Sequence, residues 1–241
     1  LVEKYGFDGI FLDRIRFPSI VTGIENLFCC FCEYCEKKAG ESGTDLNRVK
    51  EKIDRLLFQV KNMSESDLSE AGKMLGMSEE IKSPYFDAEL LSFYQFREES
   101  VCSLVKEIYD LLHKEGMEVG LDLFSPSLSR IVSQNYSMLS KYGDWIKSMS
   151  YCFGRGPASL PLEVGSIVEN INRLNSGLSD NALASFVREW FGTDVCVLWR
   201  NEKKISPAKS ILAKEIEKAK NKFGVEIPIY PGFEAVNLPG I

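Results

Sequence analysis

Three acids stand within or just beyond apolar, strand-like runs. Asp13 closes the run in GFDGIFLDRIRFPS (Gly6 to Ser19), Asp122 lies within VGLDLFSP, and Glu234 follows the run in IYPGFEAV. In a parallel α/β barrel the carboxyl ends of the strands form the floor of the active site, so acids placed there are catalytic candidates. Two carboxylates across such a mouth are what glycoside hydrolysis needs: one protonates the leaving oxygen, and the other attacks the sugar or activates water. Asp13 with Glu234 is the first pairing, and Asp13 with Asp122 the second. Each acid also has a structural reading. Asp13 can pair with Arg14 or Arg16, Asp122 with a buried arginine, and Glu234 can sit exposed on a loop.

Arg14, Arg16, Ser125, Trp145, Tyr151 and Tyr230 flank these acids and are the candidate substrate contacts. The run FCCFCEYC carries a different chemistry. Cys30, Cys32 and Cys35 have the spacing of thiolates that share one tetrahedral zinc, but a closed structural site needs a fourth ligand. Cys29 is the adjacent candidate and Cys102 a distant one; without a metal these are reduced packing cysteines. Zinc here would pin the loop, and no cofactor is required for catalysis. His113 is the only histidine, which argues against a Ser/His/Asp triad and against a multi-histidine metal centre.

The elements that must position these residues alternate along the chain. Strand-like segments at Gly9 to Asp13, Val119 to Phe124, Ile146 to Cys152 and Val225 to Tyr230 are separated by helical periodicity, which predicts parallel βα units. Leu90 to Glu115 reads as one long helix, Pro161 to Leu174 as another, and Asp180 caps a third running to Phe191. Ser206 and Pro207 start a further helix that ends near Gly224, while VCVLW (Val195 to Trp199) is either a strand or an apolar loop. Residues 20–84 form a long insertion, holding the cysteine run, an amphipathic helix around Leu46 to Val60 and a polar stretch from Asn62 to Ser83. An excursion of this kind after a barrel strand builds a wall of the mouth.

With 241 residues, 44% of them hydrophobic, the chain can bury a large core. The net charge of -6, with no basic stripe, excludes general nucleic-acid binding, and no apolar run reaches the roughly 20 residues of a membrane span. Seven cysteines, four of them within Cys29 to Cys35, fit a reducing compartment and hence the cytoplasm. Nothing in the pattern reads out an oligomeric state. Both ends look cut, and four or five βα units do not close an eight-stranded barrel. No glycine-rich phosphate loop follows any strand, so the expectation for residues 1–241 is an incomplete TIM-type (β/α)8 barrel.

Taken together, GFDGIFLDRIRFPS, CFCEYC, VGLDLFSP, DWIKSMSY and YPGFEAVNLPGI resemble a group of glycoside hydrolases with (β/α)8 barrels. The match to DxIxxDxxRFP runs from Asp8 to Pro18, and Cys30, Cys32 and Cys35 are similar to the zinc loop after the fourth strand of family 42 β-galactosidases. The resemblance implies that the chain spans about strands four to seven, with Asp13 ending strand four. In the clan of those galactosidases the two catalytic groups end strands four and seven, which implies Glu234 for the second if VCVLW is not a strand. That clan places asparagine and glutamate on strand four where this chain has Leu12 and Asp13. The implied activity is cleavage of glycosidic bonds; the alternative is a non-catalytic carbohydrate-binding or interaction barrel.

Overall fold

The computed structural model describes residues 5–77, 87–152, 156–192, 210–222 and 224–233. Four strands, β1 (Gly9–Leu12), β2 (Glu118–Phe124), β3 (Trp145–Met149) and β4 (Ile229–Pro231), form one sheet in which neighbours follow chain order. Every pairing is parallel, so the fold is α/β with helical crossovers, as the alternation predicts. Strand order does not reverse among the described strands. Among the described strands there is accordingly no switch point of the kind at which an open doubly wound sheet holds its ligand. The last predicted strand is shorter than its apolar run, because only Ile229 to Pro231 pairs. The third stops at Met149, where Ser150 turns back to bond Ser148.

Register sorts the sheet into two faces. Leu12, Leu121, Ile146 and Ile229 are paired in one row across all four strands. They pack in one core with Val101, Val105 and Leu112 of the long crossover helix. The alternate rows project from the opposite face. Phe11, Gly120 and Trp145 form one of them, and Asp122, Lys147 and Tyr230 the next, with Asp13 following Leu12 at the β1 end. The Trp145 indole lies over the β2 backbone: a Cβ on Gly120 would stand 2.2 Å from its Cζ2. That space lets Trp145 stack on Phe11 (centroids 5.1 Å, planes 12° apart) while Tyr230 meets it edge-on at 5.9 Å.

The insertion after β1 is helical: α1 (Ile24–Leu27), α2 (Glu33–Glu41), α3 (Leu46–Asn62) and α4 (Glu65–Met77). The expected amphipathic helix is α3, burying Leu46, Val49, Ile53 and Leu56. The polar stretch after it differs from expectation, since most of it is α4. Ser64 and Asp67 bond each other reciprocally at its start. Gly72 and Gly76 then bring α4 against a helix far along the chain: a Cβ on either would lie 2.6 Å from the carbonyl oxygen of Phe186 or Glu189. The long helix is α5 (Ala88–Lys114), started by Asp87, whose carboxylate accepts from Leu90 N–H at 3.2 Å.

The segment after β2 holds the one-turn helices α6 (Pro126–Ser129) and α7 (Tyr136–Leu139), and β3 is followed by α8 (Leu160–Leu174) and α9 (Asp180–Phe191). Ser179, not Asp180, caps α9, accepting from Ala182 N–H at 3.2 Å; Asp180 stands in its first turn. After α10 (Ser210–Glu217) the chain is π-helical to Lys222. Ser206, Pro207 and the VCVLW segment lie outside the described residues. His113 proves structural. Its Nε2 is 2.9 Å from an Asp144 carboxylate oxygen that also accepts from Val119 N–H at 2.7 Å, tying the end of α5 to the starts of β2 and β3. Among the described residues no helix is long and apolar enough to cross a membrane.

Gly120→Ala should overpack the aromatic row and destabilise the protein by about 1–3 kcal/mol, read as a lowered urea midpoint with unchanged slope. Wild-type stability in this variant would show that Trp145 does not lie over β2.

Candidate functional site

Asp122 is buried on the polar face of β2, opposite Lys147 of β3, whose Nζ donates to its Oδ2 at 3.2 Å. Its other carboxylate oxygen is buried with no partner. Burial pushes the Asp122 pKa up and Asp13 adds to the rise, while the pull of Lys147 only partly offsets it. Burial acts against the Lys147 ammonium, but Tyr151 and Asp122 outweigh it and raise its pKa. The Lys147 ammonium also lies 5.6 Å from the Phe11 ring centre and 5.4 Å from that of Tyr151. At Gly232 the chain beyond β4 passes close over this group. A Cβ there would be 3.0 Å from Tyr151 Cε1 and 3.2 Å from Lys147 Cε.

The structure therefore gathers Asp13, Asp122, Trp145, Tyr151 and Tyr230 on one side of the sheet, with Asp13 and Tyr230 exposed. Arg14 is exposed with a φ of 57°, beyond the strand. Arg16 is half-buried over the Phe124 ring at 4.7 Å; burial lowers its pKa, against the pull of Glu163 and Asp13. Ser125 differs from expectation. It is fully buried with its hydroxyl unpartnered, because the chain turns there from β2 straight into α6, whose Leu128 and Ser129 N–H groups donate to the Ser125 carbonyl oxygen, so it offers substrate no surface. Asp122 pairs with a lysine where the structural alternative called for an arginine. Glu234 lies outside the described residues.

Two charged groups at the candidate site escape the sequence reading. Lys147 is a charge inside the strand WIKSM, at the same parity as Trp145, which is a signal available in the sequence. Glu163 is not foreshadowed by any motif. It lies in the first turn of α8, almost fully buried, and its Oε1 accepts from Ser19 Oγ at 3.2 Å and from Ala158 N–H at 3.3 Å. It thereby joins the segment after β1 to the segment after β3. Burial raises its pKa, while Ser19, Ala158 and Arg16 pull the other way.

A second constellation sits in the insertion. The sulfurs of Cys30, Cys32 and Cys35 all lie within 4.8 Å of one another, close enough to hold a metal ion. Thiolates about 2.3 Å from a tetrahedral zinc are about 3.8 Å apart, so the trio fits after a small closure. Cys32 precedes α2 and its thiol pKa is lowered by the Cys35 backbone N–H and the neighbouring thiols, whereas burial pushes Cys35 up to about 12. Phe31, between two of these residues, stacks on Phe93 of α5 at 5.6 Å. Cys29 is not one of the trio: its backbone N–H is engaged with Asn26, and Arg97 acts on its thiol from the α5 side. Cys102 is buried in the core under the sheet with its thiol 3.8 Å from the Met138 carbonyl oxygen. Cys152 is buried in the core, and Cys196 lies outside the described residues.

Comparison with protein-family models, with curated proteins and with solved structures finds no match.

Because Glu163 holds its proton more tightly in the fold than in the unfolded chain, the stability it contributes is present at low pH. It is lost as pH rises through the unfolded carboxylate value of about 4.3 towards the folded one. Urea midpoints followed from about pH 4 to pH 7 should fall more for wild type than for Glu163→Gln. Parallel curves would show that Glu163 is not a buried, proton-retaining group.

Proposed function

We propose that the protein is a glycoside hydrolase, its four described strands being consecutive strands of a (β/α)8 barrel. The observation that carries this reading is the row Asp122, Lys147 and Tyr230 on one face of parallel strands, with Asp13 just past the end of β1, beside the Phe11–Trp145 aromatic layer. Chain-order strand pairing with one apolar and one polar-aromatic face supports the barrel. Asp122, whose burial favours the protonated form, donates a proton to the leaving glycosidic oxygen. Asp13, exposed just past the end of β1, attacks the anomeric carbon or deprotonates the water that does. Neighbouring strands lie about 4.8 Å apart, which supports the short carboxylate separation of a retaining enzyme. Trp145 and Tyr230 present faces on which sugar rings stack. Glu234, which lies outside the described residues, is the alternative partner for Asp13 on the sequence pattern. The Cys30, Cys32 and Cys35 trio holds a structural zinc that pins the insertion after β1, as reduced thiols in a cytoplasmic protein can.

The second reading is a carbohydrate-binding barrel without turnover, and the Lys147–Asp122 ion pair favours it by occupying one carboxylate oxygen. A panel of aryl glycosides separates the two. Turnover by wild type that falls about 10²- to 10⁴-fold in Asp122→Asn, and is lost with glycan binding retained in Asp13→Asn, supports the enzyme. Glycan binding by wild type with no product supports the second reading.

If Asp122 is the proton donor, rate falls as pH rises through its pKa. Lys147 lowers that pKa, so Lys147→Met should move the alkaline limb of kcat/KM to higher pH. An unmoved limb would exclude Asp122 as the group that limits it.

A further inference from the structure

Arg97 is the most anomalous residue of the core. It sits mid-way along α5 with no exposed surface, and its Nη1 donates to the Leu27 carbonyl oxygen at 3.0 Å. Its Nε and Nη2 are buried with no partner. Phe17, Phe93 and Tyr94 surround the guanidinium, with ring centres 4.2, 5.2 and 5.5 Å from it. Aromatic faces attract the charge but offer no lone pairs to these in-plane donors. The adjacent acid, Glu98, is already engaged by Arg130 at 2.7 and 3.0 Å and by Asn135 at 2.9 Å. A buried guanidinium left in this state is strongly unfavourable, so the site is built for a negative charge that arrives from elsewhere.

The surroundings point to where that charge comes from. Leu27, which Arg97 holds, is two residues before Cys29, and Cys29 is the thiol that Arg97 acts on electrostatically. Phe93, which touches Arg97, also stacks on Phe31 between Cys30 and Cys32. Arg97 thus backs the very segment that carries the thiol trio, which on its own lacks the fourth ligand of a closed tetrahedral site.

We infer that Arg97 is the counter-charge of a metal–thiolate cluster, and that Cys29 is the fourth ligand to a divalent ion held by Cys30, Cys32 and Cys35. The inference rests on the zinc reading of the trio. As the ion binds, the Cys29 thiol releases its proton to solvent, and its sulfur binds the metal while accepting from the free guanidinium N–H groups. Four thiolates and one divalent ion carry a net charge of -2, which Arg97 halves. Arg97 is a positioning residue here, acting on the metal through Cys29.

The test uses the full chain, reduced and metal-free, titrated with Zn²⁺ against a chromophoric chelator and separately with Co²⁺. Wild type should bind one ion. Arg97→Met should bind Zn²⁺ about 10- to 100-fold more weakly, with a metal-free melting temperature equal to or above that of wild type because the uncompensated charge is gone. Cys29→Ser should lose about a quarter of the thiolate-to-cobalt charge-transfer intensity, one ligand in four, and Cys102→Ser should lose none. Arg97→Lys, which keeps the charge without the fork, provides the affinity reading if the Met variant does not fold. Zinc bound by wild type and by the Arg97 variants alike would overturn the inference and leave the trio standing, as would an unchanged cobalt spectrum in Cys29→Ser. Wild type that binds no zinc would overturn both.

Discussion

The two-residue alternation of β2 is the constraint on which the rest of the structure depends. Val119, Leu121 and Leu123 face the helices and are fully buried, so Gly120 and Asp122 must face the other way. Gly120 leaves the space in which the Trp145 indole spreads across the sheet, and Asp122 stands one step nearer the carboxyl end, where Lys147 meets it. A slip of one residue would bury Leu121 and Leu123 on the wrong face and expel the carboxylate from its pocket. The apolar seam therefore fixes the address of the acid with no information from the acid itself.

Much of this pattern is legible in the chain. GIFLD and GLDLF show apolar runs interrupted by an acid, and parallel pairing makes β1 and β2 neighbours. The insertion, the long α5 and the closely spaced cysteines are legible for the same reason: each is a local pattern. What is not legible depends on contacts between distant segments. Helix α4 looks polar until Gly72 and Gly76 are seen against the backbone of α9. Glu163 acquires its setting from Ser19 and Ala158, and Arg97 is one of many charges on α5 until Phe17 and the insertion enclose it. Ser125 reads as a site hydroxyl because it follows a strand, and only the fold of the next segment removes it from the surface.

The site and the insertion share a physical logic. In each, a charged group is buried with part of its hydrogen-bonding capacity unmet: one carboxylate oxygen of Asp122, and two N–H groups of Arg97. Folded proteins satisfy the great majority of such atoms, so unmet ones mark places where something else completes the structure. On the proposed readings the missing partner is a substrate oxygen at Asp122 and a metal-bound thiolate at Arg97. Glu163 and Arg16 connect the segment after β1, which leads into the insertion, to the loop after β3 that frames the sheet's polar face. The two constellations thus lean on one stretch of chain, Asp13 to Ser19.

The catalytic reading requires that Asp13 and Asp122 sense each other on one side of the sheet. Carboxyl-carbon NMR titration of aspartate-labelled protein reads it directly. One carboxyl should titrate above the ordinary aspartate range, assigned to Asp122 by its loss in Asp122→Asn and shifted to lower pH in Asp13→Asn, because the neighbouring negative charge is gone. A midpoint for Asp122 that is ordinary, or that does not move when Asp13 is neutralised, would contradict it.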